Sequence, residues 1–350
     1  MPSTTITGLF GSIIRLGRSS TAPIRTQNGC AELKQVDLNG YPQWVLIRGQ
    51  DVSRPLLLFL HGGPGSAEMG LAHVTMKELE KYFICVNWDQ RGAGKSFRPG
   101  PNPDTMTIEQ FVKDTLALIE MLLLRFGQKK VFLIGHSWGS VLAMKVAAAR
   151  PDLLYAVVGM GQVVDMKRGE DLSYRYVLNQ AHTQQNQKAV RILEKIGAPP
   201  YRKNGLFVQR KWLSHYKGDL HSIGMRGFFS ILLNAHEYSI GDLLCFLRGS
   251  RFSNRLMWDE LIMVNFLHEI PAISVPVFFF AGKYDYTTPF ELVEEFNDSL
   301  HAPYKKLIWF EQSAHMPNIE EPEKFQRELI ALAQELCPEN LTSKEDHVSK

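Results

Sequence analysis

Short apolar runs recur along the chain: "PLLLFL" (Pro55 to Leu60), "FICVNW" (Phe83 to Trp88) and "VFLI" (Val131 to Ile134). Each is apolar at successive positions, not at alternate ones, as expected of a strand covered on both faces. "YAVVGM" and "VPVFFFAG" continue the series, and "KLIWF" (Lys306 to Phe310) is a weaker member. An earlier stretch, "AELKQVDLNGYPQWVLIRG", alternates instead and carries Asn39-Gly40 between its halves. That pair is the strongest short turn signal, so a hairpin is predicted.

Helical periodicity fills the gaps. Thr107 to Phe126 has apolar residues at 111, 112, 116, 119, 122 and 126, with Thr107 as N-cap and Gly127 just beyond the end. Ser140 to Arg150, Phe290 to Asn297 and the amphipathic Glu323 to Leu336, closed by Pro338, are also predicted helices. Buried strands alternating with helices imply an α/β fold: a mostly parallel central sheet with helices on both faces.

The rhythm breaks between Asp165 and Glu269. "GFFSILLNA", "IGDLLCFL" and "RLMWDELIMVNFL" are helical patterns with no strand among them. So long a stretch is no plain loop; a helical cap inserted over the strand ends is expected. The predicted organisation is a flexible leader over 1–29, a core of 30–164 and 270–337, a cap over 165–269, and a polar, disordered tail over 338–350.

Composition adds limits. Apolar residues make up 45% of 350, enough for a sizeable core. With 39 basic and 36 acidic residues and no basic tract with interleaved aromatics, a nucleic-acid partner is excluded. The four cysteines are scattered; Cys85 and Cys245 lie in apolar runs and read as small buried residues. Neither a disulfide framework nor a zinc site is indicated, which favours a reducing, cytoplasmic setting. From Met1 to Ala31 there is no acid, while Arg15, Arg18 and Arg25 stand among Ser and Thr. An organellar transit peptide has this composition, and so does a surface-lying leader. "GLFGSII" is too short to span a bilayer. Asn297-Asp298-Ser299 and Asn340-Leu341-Thr342 match the glycosylation pattern, as chance matches do.

The chemistry concentrates in "FLIGHSWGSVLAMK" (Phe132 to Lys145). Gly135-His136-Ser137-Trp138-Gly139 is G-x-S-x-G between an apolar strand and an Ala-rich helix. The glycines let strand and helix approach while Ser137 takes a strained turn conformation, its hydroxyl at the sheet edge before a helix N-terminus. A serine needs a base, and the base needs a group that fixes its tautomer. "VPVFFFAGKYD" ends at Asp285 and "KLIWFEQSAHMP" carries His315, each just past a strand. Asp165, after "YAVVGM", is the competing acid. His301 and His347 are weaker competing bases, and His136, just before Ser137 on the strained turn, is expected to point away, packing or bonding structurally. The oxyanion hole is expected from the N–H of Trp138 and that of Gly62 or Gly63 in "FLHGGPGS", with Pro64 stiffening the loop across a cis peptide. "DQRGAGKS" (Asp89 to Ser96) ends like a phosphate loop but has Asp89 where the motif needs glycine, and no helix pattern follows. Asp89 and Arg91 are expected to brace that loop.

Together "HGGPGS", "WDQRGAGKS", "GHSWGS", "GKYD" and "SAHMP" resemble the α/β-hydrolase family, and within it the proline iminopeptidase (prolyl aminopeptidase) branch. The resemblance covers about Cys30 to Asp165 and Pro271 to Leu336. It implies Ser137 as nucleophile, His315 as base, Asp285 as acid, an oxyanion hole at Trp138 and the glycines after His61, and a cap that selects substrate. It also implies cap carboxylates for the free amino end of a peptide, with Glu237 and then Glu170 as candidates. His136, where many iminopeptidases have a small residue, and Ser66, in place of a further glycine, depart from that branch. The expected activity is release of N-terminal proline or a similar residue from small peptides or amides, without metal or cofactor. A carboxylesterase on small apolar esters is the alternative enzyme, and a ligand-binding receptor of the same fold is the non-enzymatic one.

Overall fold

The computed structural model describes residues 19–98, 100–201 and 204–338. The polar tail past 338, its glycosylation pattern at 340–342, His347, and residues 1–18 of the expected leader lie outside the described residues. Residues 19–29 are tied down: Ser20 N–H donates to the His236 carbonyl (3.1 Å), and Arg48 Nη1 donates to the Ala22 carbonyl (2.6 Å).

The predicted hairpin is present. Strands β1 (Cys30–Leu38) and β2 (Tyr41–Gly49) pair antiparallel, and Asn39 and Gly40 turn the chain at φ of 52° and 76°. Both central residues of such a turn need positive φ, which is why Asn-Gly suits it. The apolar runs become β3 (Leu56–Leu60), β4 (Ile84–Asp89), β5 (Val131–His136), β6 (Leu154–Met160), β7 (Val277–Gly282) and β8 (Lys305–Phe310). They form one eight-stranded sheet in the order β1-β2-β4-β3-β5-β6-β7-β8, parallel from β4 to β8.

The helices, in chain order, are α1 (Ala72–Thr75), α2 (Ile108–Phe126), α3 (Trp138–Ala149), α4 (Met166–Thr183), α5 (Gln187–Ile196), α6 (Gly205–His215), α7 (Gly224–Leu233), α8 (Ile240–Leu261), α9 (Phe266–Glu269), α10 (Phe290–Ser299), α11 (Pro317–Glu320) and α12 (Pro322–Leu336). Thr107 caps α2 by accepting the Gln110 N–H, and Gly127 ends it in the left-handed region. The sheet's side chains divide by alternation. Leu56, Leu58, Val131, Leu133, Val277 and Phe279 pack on one face with α2, α3 and α10. Leu57, Phe59, Phe132, Ile134, Phe278 and Phe280 pack on the other with α1 and α12.

Among the described residues, six helices, α4 to α9, fall between β6 and β7, and Tyr174, Val177, Leu193, Trp212 and Leu213 give α4 to α6 a small core of their own. The patterns "IGDLLCFL" and "RLMWDELIMVNFL" lie largely in one helix, α8, started by a Ser239–Asp242 capping box. This segment lies over the carboxyl ends of the strands. Asn254 Nδ2 donates to the Pro64 carbonyl (3.0 Å), Tyr238 Oη to Asp89 Oδ1 (2.7 Å), and His315 N–H to the Asp219 carbonyl (3.0 Å). Among the described residues, no helix is long and apolar enough to cross a membrane.

Candidate active site

Because β3, β5, β7 and β8 run parallel, the loops that follow them open on one edge of the sheet. Those loops carry Gly62–Gly63, Ser137, Asp285 and His315.

Ser137 sits at φ 52° and ψ −118°, and its N–H donates to the Met160 carbonyl (2.9 Å). A non-glycine residue there is strained, and the turn persists because packing on both sides dictates it. A Cβ on Gly139 would lie 2.1 Å from the Leu60 carbonyl oxygen, and one on Gly135 2.3 Å from that of Gly139. Both neighbours are backbone and cannot swing aside. Gly139→Ala is therefore expected to lower unfolding free energy by about 3 kcal/mol or more, read from the urea midpoint.

Asp285 is held from every side. Its Oδ1 accepts the N–H groups of Thr287 (2.8 Å) and Thr288 (3.0 Å); its Oδ2 accepts the Thr288 hydroxyl (2.9 Å) and faces His315 Nδ1 at 2.8 Å. The Thr288 hydroxyl, 3.2 Å from the same Nδ1, points its hydrogen at Asp285 Oδ2 and so offers Nδ1 a lone pair. Only acceptors face Nδ1, so the proton of His315 resides there and Nε2 keeps a lone pair. Gly161, where a Cβ would come within 2.8 Å of the ring, gives the imidazole its seat. His315 is 8% exposed and Asp285 2%. Ser137 and His315 line one cavity of about 360 Å³, and Ser137 also lines a second of about 310 Å³. The competing acid, Asp165, instead caps α4 through the Arg168 N–H (3.1 Å) and bonds Asn265.

Of the glycines expected to offer an N–H, Gly62 is already committed, donating to Glu68 Oε1 at 2.9 Å. Gly63 borders both cavities, and its bond to Pro64 is cis. Trp138 opens α3, where N–H groups have no acceptor within the helix.

His136 does not point away. It lines the larger cavity, its ring centroid 4.8 Å from that of His315. Nδ1 lies 2.6 Å from Glu68 Oε1 and Nε2 2.9 Å from the His315 carbonyl oxygen. Two acceptors facing the two ring nitrogens make the group an imidazolium paired with a carboxylate. Burial opposes both charges, yet Glu68 raises the pKa of His136, and His136 with the Gly62 N–H lowers that of Glu68. The pair ties the Gly62 loop, the Ser137 turn and the His315 loop together. A second web acts beside it: buried His61, its pKa pushed down to about 4 by desolvation, accepts the Gln90 N–H (3.1 Å), while Gln90 Oε1 accepts from Trp138 Nε1 (2.9 Å). Asp89 and Arg91 brace their loop as expected: Asp89 accepts the Lys95 N–H (2.8 Å), and Arg91 forks onto Asp114 at 2.8 and 3.1 Å.

Glu68→Gln is expected to remove about 3 kcal/mol of stability. The raised His136 contributes fully below its ordinary 6.5 and loses that contribution as pH climbs through its folded value. The lowered Glu68 contributes fully above its ordinary 4.5 and loses it as pH falls through its folded value. The difference from wild type is therefore largest between pH 4.5 and 6.5, measured by urea unfolding across pH.

Glu237 is buried but lines neither cavity that holds Ser137. Glu170 borders the smaller cavity, and its Oε1 is bonded to Arg210 Nη2. Sequence reasoning passed over Asp219, which lines the larger cavity. Among the described residues, no group of His, Cys, Asp and Glu is placed to hold a metal ion.

A model of the alpha/beta hydrolase fold matches residues 55–322, over half of the chain. The chain belongs to the α/β-hydrolase family. It is 37% identical over 306 residues to a probable aminopeptidase, YbaC, of Bacillus subtilis (strain 168), covering 86% of this chain and 96% of the relative. It is 26% identical over 283 residues to the proline iminopeptidase of Heyndrickxia coagulans, covering 77% and 87%. Among solved structures it resembles a proline iminopeptidase-related protein of Thermus thermophilus. There the TM-score is 0.62 at 22% identity, covering 88% of this chain and 99% of the other. That structural likeness speaks for the α/β-hydrolase fold alone. The relatives match the iminopeptidase-like resemblance drawn from the five motifs.

Proposed function

We propose that this α/β hydrolase is a serine aminopeptidase that releases an N-terminal residue, proline among them, from small peptides or amides through an acyl-enzyme. Ser137 Oγ attacks the carbonyl carbon and passes its proton to His315 Nε2. The oxyanion gathers the N–H groups of Trp138 and Gly63, helped by the N-terminal end of the α3 dipole. The C–N bond breaks as His315 returns the proton to the leaving nitrogen. Water, deprotonated by His315, then cleaves the Ser137 ester and frees the acid. The helices between β6 and β7 act as the cap that selects substrate.

The observation that carries this reading is the Asp285–His315 hydrogen bond (2.8 Å), which leaves Nε2 unprotonated on the cavity that strained Ser137 also lines. A receptor has no need of that arrangement. Peptide chemistry, not ester chemistry, is favoured by the names of the two relatives, each called an aminopeptidase or iminopeptidase. The test is a panel of aminoacyl-naphthylamides, free and N-acetylated, beside p-nitrophenyl esters. Cleavage of the free-amine amides and not of the blocked ones is expected. Turnover of esters alone would replace the aminopeptidase with a carboxylesterase.

A further inference from the structure

Ser137 lies where two cavities meet. Gly63, Arg210, Asn254 and Thr287 border both. The larger, about 360 Å³, is walled by Leu220, Met225, Phe228, Phe229 and Phe246; the smaller, about 310 Å³, by Val163, Met166, Leu206, Phe207 and Trp258. Pockets of this size hold whole small-molecule ligands, and a proline ring would fill little of either. On the aminopeptidase reading, the substrate carries its ammonium one carbon from the carbonyl that Ser137 attacks. The cavity with an available carboxylate must therefore take the first residue.

Three carboxylates border these spaces. Glu68 is paired with His136 and Glu170 with Arg210. Asp219 borders only the larger cavity; its Oδ1 accepts the Leu220 N–H (2.6 Å), and its carbonyl accepts the His315 N–H (3.0 Å), so its backbone is fixed beside the base. No cation is bonded to it among the described residues, and burial raises its pKa, a cost that an incoming ammonium relieves.

We propose that the enzyme prefers substrates with a large apolar or aromatic first residue, seated in the Phe228–Phe229–Phe246 cavity with its ammonium on Asp219, and with an apolar leaving group in the Trp258 cavity. The proposal rests on the aminopeptidase reading and narrows its substrate class. One matched methylene in an apolar pocket is worth on the order of 10-fold or more in selectivity, so the ranking should be steep.

The experiment measures kcat/KM for Phe-, Leu-, Pro- and Gly-naphthylamide, and for Phe-Leu against Phe-Gly dipeptide amides. Phe and Leu are expected to exceed Gly by about 100-fold and to exceed Pro, and Phe-Leu to exceed Phe-Gly by about 10-fold. Asp219→Asn should raise KM for the free-amine substrates about 10-fold or more beyond any change it makes in KM for p-nitrophenyl hexanoate. Phe229→Ala, at a partly exposed site, should flatten the Phe-over-Gly preference even if the Asp219 variant fails to fold. A tenfold preference for Pro over Phe and Leu, or equal effects of Asp219→Asn on amine and ester substrates, would overturn the proposal and leave the aminopeptidase standing. Hydrolysis of esters with no amide cleaved would remove both.

Discussion

Ser137→Ala is expected to lower kcat by about a million-fold, to the level that binding and the oxyanion donors supply without a nucleophile. Alanine at φ 52° is no less strained than serine, so the variant should fold with unchanged stability. Ser137→Gly should be equally inactive yet more stable by about 1 kcal/mol, because glycine adopts that φ without cost. The opposed signs separate a residue strained for chemistry from one needed for folding. Calorimetry on both variants, beside a sensitive amide assay, checks the pair. Comparable activity in Ser137→Ala would mean that another nucleophile is at work.

Asp285→Asn is expected to cost about 10⁴-fold in kcat with little change in KM. The local bonds dictate why. Oδ1 accepts two backbone N–H groups, from Thr287 and Thr288, so the amide oxygen of asparagine must occupy that position. The NH₂ then faces His315 Nδ1, where Oδ2 stood at 2.8 Å. A donor there forces Nδ1 to accept, which moves the imidazole proton to Nε2, where it cannot take the proton of Ser137. The Thr288 hydroxyl turns to accept from the new amide, so the fold is retained. Steady-state kinetics of the refolded variant, with its nitrogen-15 imidazole spectrum, reads the rate and the tautomer together. A wild-type rate with the proton on Nε2 would remove Asp285 from the account.

The strands and the loops after them were legible because burial on both faces writes itself as unbroken apolar runs, and the parallel order then brings Ser137, Asp285 and His315 to one edge. What was illegible depends on side chains meeting across the fold. His136 was expected to point away, packing or bonding structurally, because it precedes Ser137 on a strained turn; it does bond structurally, but its partner Glu68 lies on another loop, and only the folded chain sets them 2.6 Å apart. The same Glu68 carboxylate accepts the Gly62 N–H. The patterns "IGDLLCFL" and "RLMWDELIMVNFL", separate in the sequence reading, fall largely in one helix, along which Gly249 packs on the Gly92 carbonyl, where a Cβ would approach to 2.5 Å. Asp219 had no motif around it. Glu237, chosen for its place in the cap, is buried away from the cavities instead.

The most direct measurement is covalent labelling with a fluorophosphonate, followed by intact mass and peptide mapping. A single adduct on the peptide that carries Ser137, absent from Ser137→Ala and formed much more slowly in Asp285→Asn, is predicted. An adduct on another residue, or amide hydrolysis that continues in fully unlabelled protein after prolonged exposure, would contradict it.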